Sequence, residues 1–161
     1  MSTVPSVDAI LLPADGRNIS TVSLMLSTAH PGIHRSIRRH VPHPEVHMDF
    51  VAEGAHVKAW DHIIVEWLDG MNRKFSSPYV IFFPTISRDG MAFPINKVIQ
   101  DMQGPRFNPN NAWRGNIVIA KYKDDQFPFD FLVDASMSDY PIIKNHFLNY
   151  GPHGPLRSYR A

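Results

Sequence analysis

The 161-residue chain contains no cysteine, which excludes disulfide bonds, thiolate nucleophiles and cysteine-ligated zinc in one step. A marked excess of one charge is also missing: 16 Lys and Arg stand against 15 Asp and Glu, for a formal net charge of +1. The molecule as a whole therefore lacks the field that draws proteins onto nucleic acid, and any such contact has to come from a local patch. Long apolar runs are absent as well. The opening stretch MSTVPSVDAILLPADG has no basic start and only AILL as an apolar run, too short for a secretory leader or a membrane span. A cytoplasmic protein with no membrane partner is the expectation, and Asn18-Ile19-Ser20, a glycosylation acceptor by pattern, would then go unused. No glycine-rich phosphate loop, dinucleotide fingerprint, serine elbow or kinase set is found, nor any fixed-period repeat.

What the chain does have is a globular composition, 43% hydrophobic and 19% charged, at a length that suits a single domain over residues 1–161. Fourteen prolines and nine glycines divide it into short elements, because each proline removes a backbone donor and fixes φ. A turn at Asp15-Gly16 leads into a β-branched strand over 19–26. Residues 31–39 suit a short helix with proline at its start. Residues 45–51 alternate, which predicts a strand with Val46, Met48 and Phe50 inward. The spacing of Val57, Trp60, Ile63, Ile64, Trp67 and Leu68 predicts an amphipathic helix over 56–68, ended by Asp69-Gly70.

PYVIFFP, residues 78–84, reads as a buried strand, with a hairpin through Asp89-Gly90 to the MAFP that follows. A helix is expected over 94–104, a proline- and asparagine-rich loop over 104–113, and a second hairpin between 115–122 and 127–134, with Phe127, Phe129, Phe131 and Val133 on one face. Ser138 would cap a last helix carrying Tyr140, Ile143, Phe147 and Tyr150 on one side, and residues 151–161 would form a flexible tail. Strands arriving as hairpins predict an α+β fold: a mostly antiparallel sheet with three to four short helices packed on it.

Three sets of residues carry chemistry. In HVPHPEVHMDF, an extended backbone would align His43, Glu45, His47 and Asp49 on one side, all possible ligands for a divalent metal. Same-face neighbours on a strand lie about 6.6 Å apart, whereas metal ligands lie about 2 Å from the ion. A third ligand would have to come from His30, His34, His56, His62 or His146, and a solvated sheet edge is the alternative. In HRSIRRH, residues 34–40, Arg35, Arg38 and Arg39 form an anion or nucleic-acid candidate, although three arginines without interleaved aromatics make nucleic acid an improbable partner. In the 104–113 loop, Phe107, Asn108, Asn110 and Trp113 are candidates for a protein contact.

The segments SSPYVIFF, FPINKVI and WRGNIVIAK, with their spacing around Pro94, Asn96, Trp113 and Gly115, resemble a pattern in small uncharacterised intracellular proteins of mushroom-forming fungi. The likeness spans residues 60–150 and implies a lineage-restricted protein without assigned catalytic residues. Taken together, the sequence favours a non-catalytic binding module for a protein partner or a second copy, with no cofactor. A metal-dependent or histidine-assisted enzyme or small-molecule binder stays open, as does an anion contact at residues 35–39.

Overall fold

A computed structural model describes residues 5–29, 39–49, 51, 59–68, 73–123 and 132–156. Its centre is one antiparallel sheet. β1 (Ser6–Leu12), β2 (Ser20–Ala29), β3 (Arg39–His43), β4 (Trp60–Leu68), β5 (Arg73–Pro84) and β6 (Ile117–Tyr122) are ordered β3-β2-β1-β6-β5-β4. β7 (Leu132–Val133) pairs with the far end of β6, opposite Lys121 and Tyr122. The chain thus makes two hairpins, β1–β2 and β4–β5, and β6 joins them by pairing with β1 at Ile10↔Ile119 and with β5 at Ile81↔Ile119.

Strands that are covered on both sides read as continuous apolar runs, and alternate residues serve opposite cores. Ile117 and Ile119 of β6 point to one side, with Ile10, Leu12, Tyr79 and Ile81. Val118, Ala120 and Tyr122 point to the other, with Ala9, Leu24, Val80 and Phe82. Two helices cover the first side: α1 (Lys97–Gln103) contributes Ile99, and α2 (Tyr140–Asn149) contributes Ile143 and Phe147. The other side is closed by the curl of the sheet itself, with Met48, Val51, Trp60 and Phe93 packed into it. We call these the helical face and the curled face.

The structure corrects several expectations. Among the described residues there are two α-helices and four single 3-10 turns, fewer helices than expected. The helix expected over 56–68 is strand β4 from Trp60 onward, paired with β5 from Trp60↔Pro84 to Val65↔Tyr79; residues 56–58 lie outside the described part. Its spacing suited a helix, but β-branched and aromatic residues favour a pleated surface when a partner strand is present. A register break between Val65 and Trp67 lies where Pro78 removes a donor from β5.

Residues 44–47 form a 3-10 turn, not a strand: Pro44 sits in its first turn and Met48 N–H donates to the Glu45 carbonyl at 3.0 Å. Met48 is buried as expected, whereas Val46 is turned outward at 61% exposure. Asp89-Gly90 does form a turn, with Gly90 at φ 75°, but MAFP does not return as a strand; β5 pairs with β4 and β6 instead. The strand over 19–26 is β2, and β1, which went unread, precedes it.

Of the second hairpin, β6 and the two residues of β7 are described, and Phe127, Phe129 and Phe131 lie outside the described residues. Ser138 does not cap the last helix: it lies inside a 3-10 turn, Met137–Asp139, that leads into α2 and is capped by Ser136 through a reciprocal pair with Asp139, and Asp139 is the residue at the N-cap of α2. Residues 151–156, where the tail was expected to begin, make a small hairpin of β8 (Tyr150–Gly151) and β9 (Gly154–Pro155) that ends on buried Leu156. The helix expected over 31–39 falls outside the described residues except for Arg39, which starts β3.

Candidate functional site

Pro94, Asn96, Trp113 and Gly115 turn out to hold one another. Segment 94–96 lies antiparallel to 113–115: Gly115 N–H donates to the Pro94 carbonyl and Asn96 N–H to the Trp113 carbonyl, both at 2.8 Å, around a bridge between Ile95 and Arg114. Asn96 is fully buried. Its amide nitrogen donates to the carbonyls of Leu12 and Gly115, each at 2.9 Å, and its oxygen caps α1 by accepting from Ile99 N–H at 3.0 Å. One side chain thereby ties β1, the helix start and the approach to β6. Gly115 has φ +76°, and a Cβ there would come 2.5 Å from Pro84 Cγ, so no larger residue fits.

Beside this clasp lies a cleft of about 270 Å³ lined by Asp15, Asp49, Phe93, Pro94, Lys97 and Asn116. Its charged groups come from three separate places: the turn after β1, the segment after the 44–47 turn, and the first residue of α1. Asn116, 8% exposed, accepts from Ala14 N–H and donates to the His47 carbonyl, both at 2.8 Å. Asp15 makes an ion pair with Arg17 at 2.6 Å, and the Arg17 amide beside it lowers its carboxyl pKa below the usual value.

The four metal candidates separate into three environments. His43 Nδ1 lies 3.0 Å from Glu45 Oε1, and Glu45 Oε2 accepts from Trp60 Nε1 at 3.0 Å; His43 Nε2 meets Ser27 Oγ at 2.7 Å. His47 Nε2 donates to the Ser23 carbonyl at 2.7 Å, and Asp49 lines the cleft. Among the described residues no three His, Asp or Glu side chains gather closely enough to hold a metal ion. The 3-10 turn is the reason, since it breaks the extended geometry that would have aligned the set. What Glu45 does instead is connect the turn after β3 to the start of β4, drawing together the two outermost strands of the sheet.

Of the anion candidates, Arg35 and Arg38 lie outside the described residues and Arg39 is described in its backbone only. Of the contact candidates, Phe107 is half-buried, Asn110 is exposed, and Asn108 Oδ1 is occupied by the Asn110 amide at 3.0 Å. Trp113 is corrected. At 2% exposure it stands edge-on to Phe83 and Phe147, and Nε1 donates to the Tyr150 carbonyl at 3.1 Å, so it belongs to the helical core and not to a surface.

One polar cluster was not anticipated. Asp139 Oδ1 accepts from Tyr79 O–H at 2.7 Å and from Lys121 Nζ at 3.1 Å, and Oδ2 accepts from Ser136 N–H at 2.8 Å. Burial raises the Asp139 pKa, but these donors outweigh it and the net shift is downward. Burial, reinforced by the carboxylate, pushes the Tyr79 phenol above its usual value. The cluster joins β5, β6 and the start of α2, and Tyr79 borders an apolar void of about 10 Å³, room for about one water molecule. Its one legible sign was the Ser-x-x-Asp spacing of Ser136 and Asp139, a capping pattern.

The sheet also offers an edge. Among the described residues β4 pairs with β5 alone, and Ile64 at its middle is 36% exposed. No helix among the described residues is long and apolar enough to cross a membrane. No protein family, curated protein or solved structure matches the chain.

Proposed function

We propose that the protein is a non-catalytic binding module that takes an extended segment of a protein partner along β4. The observation that carries this reading is the β4 edge: nine residues, Trp60–Leu68, rich in β-branched and aromatic residues, with no proline and with backbone pairing on one side among the described residues. Such an edge is a template for strand addition, in which main-chain hydrogen bonds supply affinity and alternate side chains supply selectivity. A further support is that Asp139 and Tyr79, two ionisable groups shifted from their ordinary values, are spent on joining the sheet to α2. No cofactor is invoked, and a lineage-restricted intracellular role agrees with the resemblance carried by Pro94, Asn96, Trp113 and Gly115.

The test uses Ile64→Lys, which places a charge on the edge and leaves the core untouched. Proteins captured on the full chain are cross-linked and mapped, and hydrogen exchange is followed along β4. The reading expects cross-links at β4, slowed exchange of its amides in the complex, and at least tenfold weaker capture by the variant. Light scattering of the free chain identifies a second copy as the occupant if a dimer is seen and the variant dissolves it. Cross-links mapping elsewhere, with unchanged capture by the variant, would refute the proposal.

A further inference from the structure

We infer that the cleft beside the 94–96/113–115 clasp binds a small zwitterion of the free α-amino-acid type, bearing both an ammonium and a carboxylate. This inference is independent of the β4 edge and uses different residues. Lys97 and Asp49 line the same space, and neither side chain has a hydrogen-bond or ion-pair partner among the described residues, the Lys97 bond to Ala14 being made by its backbone amide. Asp15 also lines it, and its ion pair runs to Arg17 and not to Lys97. Opposite charges thus border one cavity without neutralising each other. A purely anionic ligand would be drawn to Lys97 but repelled by two carboxylates, and a purely cationic one would meet the reverse. A molecule carrying both charges satisfies both sides.

Two further features fit that ligand. A carboxamide has two N–H donors and two lone pairs on its oxygen; buried Asn116 uses one of each, on the His47 carbonyl and the Ala14 amide, and retains one of each for a bound polar group. Phe93 and Pro94 supply an apolar wall for the ligand's carbon skeleton. The volume, about 270 Å³, lies just under the range of about 300–1,000 Å³ that holds drug-sized ligands, so it selects a compact occupant. Because the charged side chains are exposed, each contact is weakened by solvent, and affinities on the order of 1 mM are expected.

The experiment is a titration of the ¹⁵N-labelled full chain with L-alanine, L-valine, L-leucine and L-proline, followed by amide chemical shifts, with the N-acetyl and carboxamide forms of each as further probes. The inference expects saturable shifts at Asp15, Asp49, Lys97 and Asn116 with at least one free amino acid. Each blocked form should bind at least tenfold more weakly. Lys97→Met and Asp49→Asn should each weaken binding about tenfold, with the melting temperature unchanged. The absence of saturable shifts with every free amino acid overturns the proposal. So does equal binding of either blocked form, or parental affinity in both variants.

Discussion

The helical and curled faces of the sheet bury comparable sets of aliphatic and aromatic side chains, yet they are closed by different means. On the helical face the closing groups are themselves buried: Trp113, Asn96 and Asp139 each bond main-chain or side-chain partners out of water. On the curled face closure runs through Glu45, whose side chain is 36% exposed, and its bonds to His43 and Trp60. A buried bond costs the full desolvation of its partner when broken, whereas at a half-exposed one water substitutes. The faces should therefore respond unequally to comparable damage, the helical one losing fold stability and the curled one losing little.

The largest effect is expected from Trp113→Ala, which removes a core ring and the shorter of two bonds to the Tyr150 carbonyl, leaving it the longer one from Gln103. Chemical denaturation should show a loss of about 3–5 kcal/mol. Asn96→Ala leaves two carbonyls and one amide without their partner, and the same measurement should give about 3 kcal/mol. Tyr79→Phe removes a hydrogen bond to a carboxylate, worth about 1.5–3 kcal/mol. Glu45→Gln keeps the shape of a side chain that is 36% exposed and weakens only its bonds to His43 and Trp60 on the curled face; about 1 kcal/mol or less is expected. A loss as large as that of Asn96→Ala would break the contrast between the faces. Ile64→Lys should change stability by less than about 0.5 kcal/mol, so that any effect on partner binding is read cleanly.

Acid should sharpen the same contrast. The folded-state pKa of Asp139 lies below its ordinary 3.8, so its contribution is fully present above that value and is lost as pH falls through the lower folded one. The Tyr79 phenol is shifted the other way, above its ordinary 10.0; its contribution holds below 10.0 and is lost as pH rises beyond it. Melting temperatures across pH should fall at both extremes, and Asp139→Asn should flatten the acid limb.

What could be read from the sequence, and what could not, follows from where each residue's partner lies. β6 and the second half of β5 were legible because a strand buried on both sides is simply an apolar run bounded by turn residues. The same double burial concealed β4: Trp60 serves the curled face while Ile63 and Val65 serve the helical one, and the combined pattern imitates helical spacing. α1 was legible from its periodicity and its terminal glycine. Its cap is Asn96, whose other two partners, Leu12 and Gly115, are distant in sequence, and no local pattern reports a bond of that kind. The histidine-rich segment misled because its alternation imitates a strand, whereas Pro44 begins a 3-10 turn. The cleft was invisible for the same reason as the cap, since Asp15, Asp49 and Lys97 meet only in the folded chain.

The placement of β6 between the two hairpins has a consequence for biosynthesis. Ile10 must pair with Ile119, so the β1–β2 hairpin leaves the ribosome and waits while the intervening chain is made, on the order of 10 s at about 5–20 residues per second. During that interval the flank of β1 that will receive β6 is an open, apolar strand. The middle of the finished sheet thus cannot assemble until β6 has emerged, after both hairpins that flank it, and nascent chains stopped before residue 117 should be the species that chaperones hold.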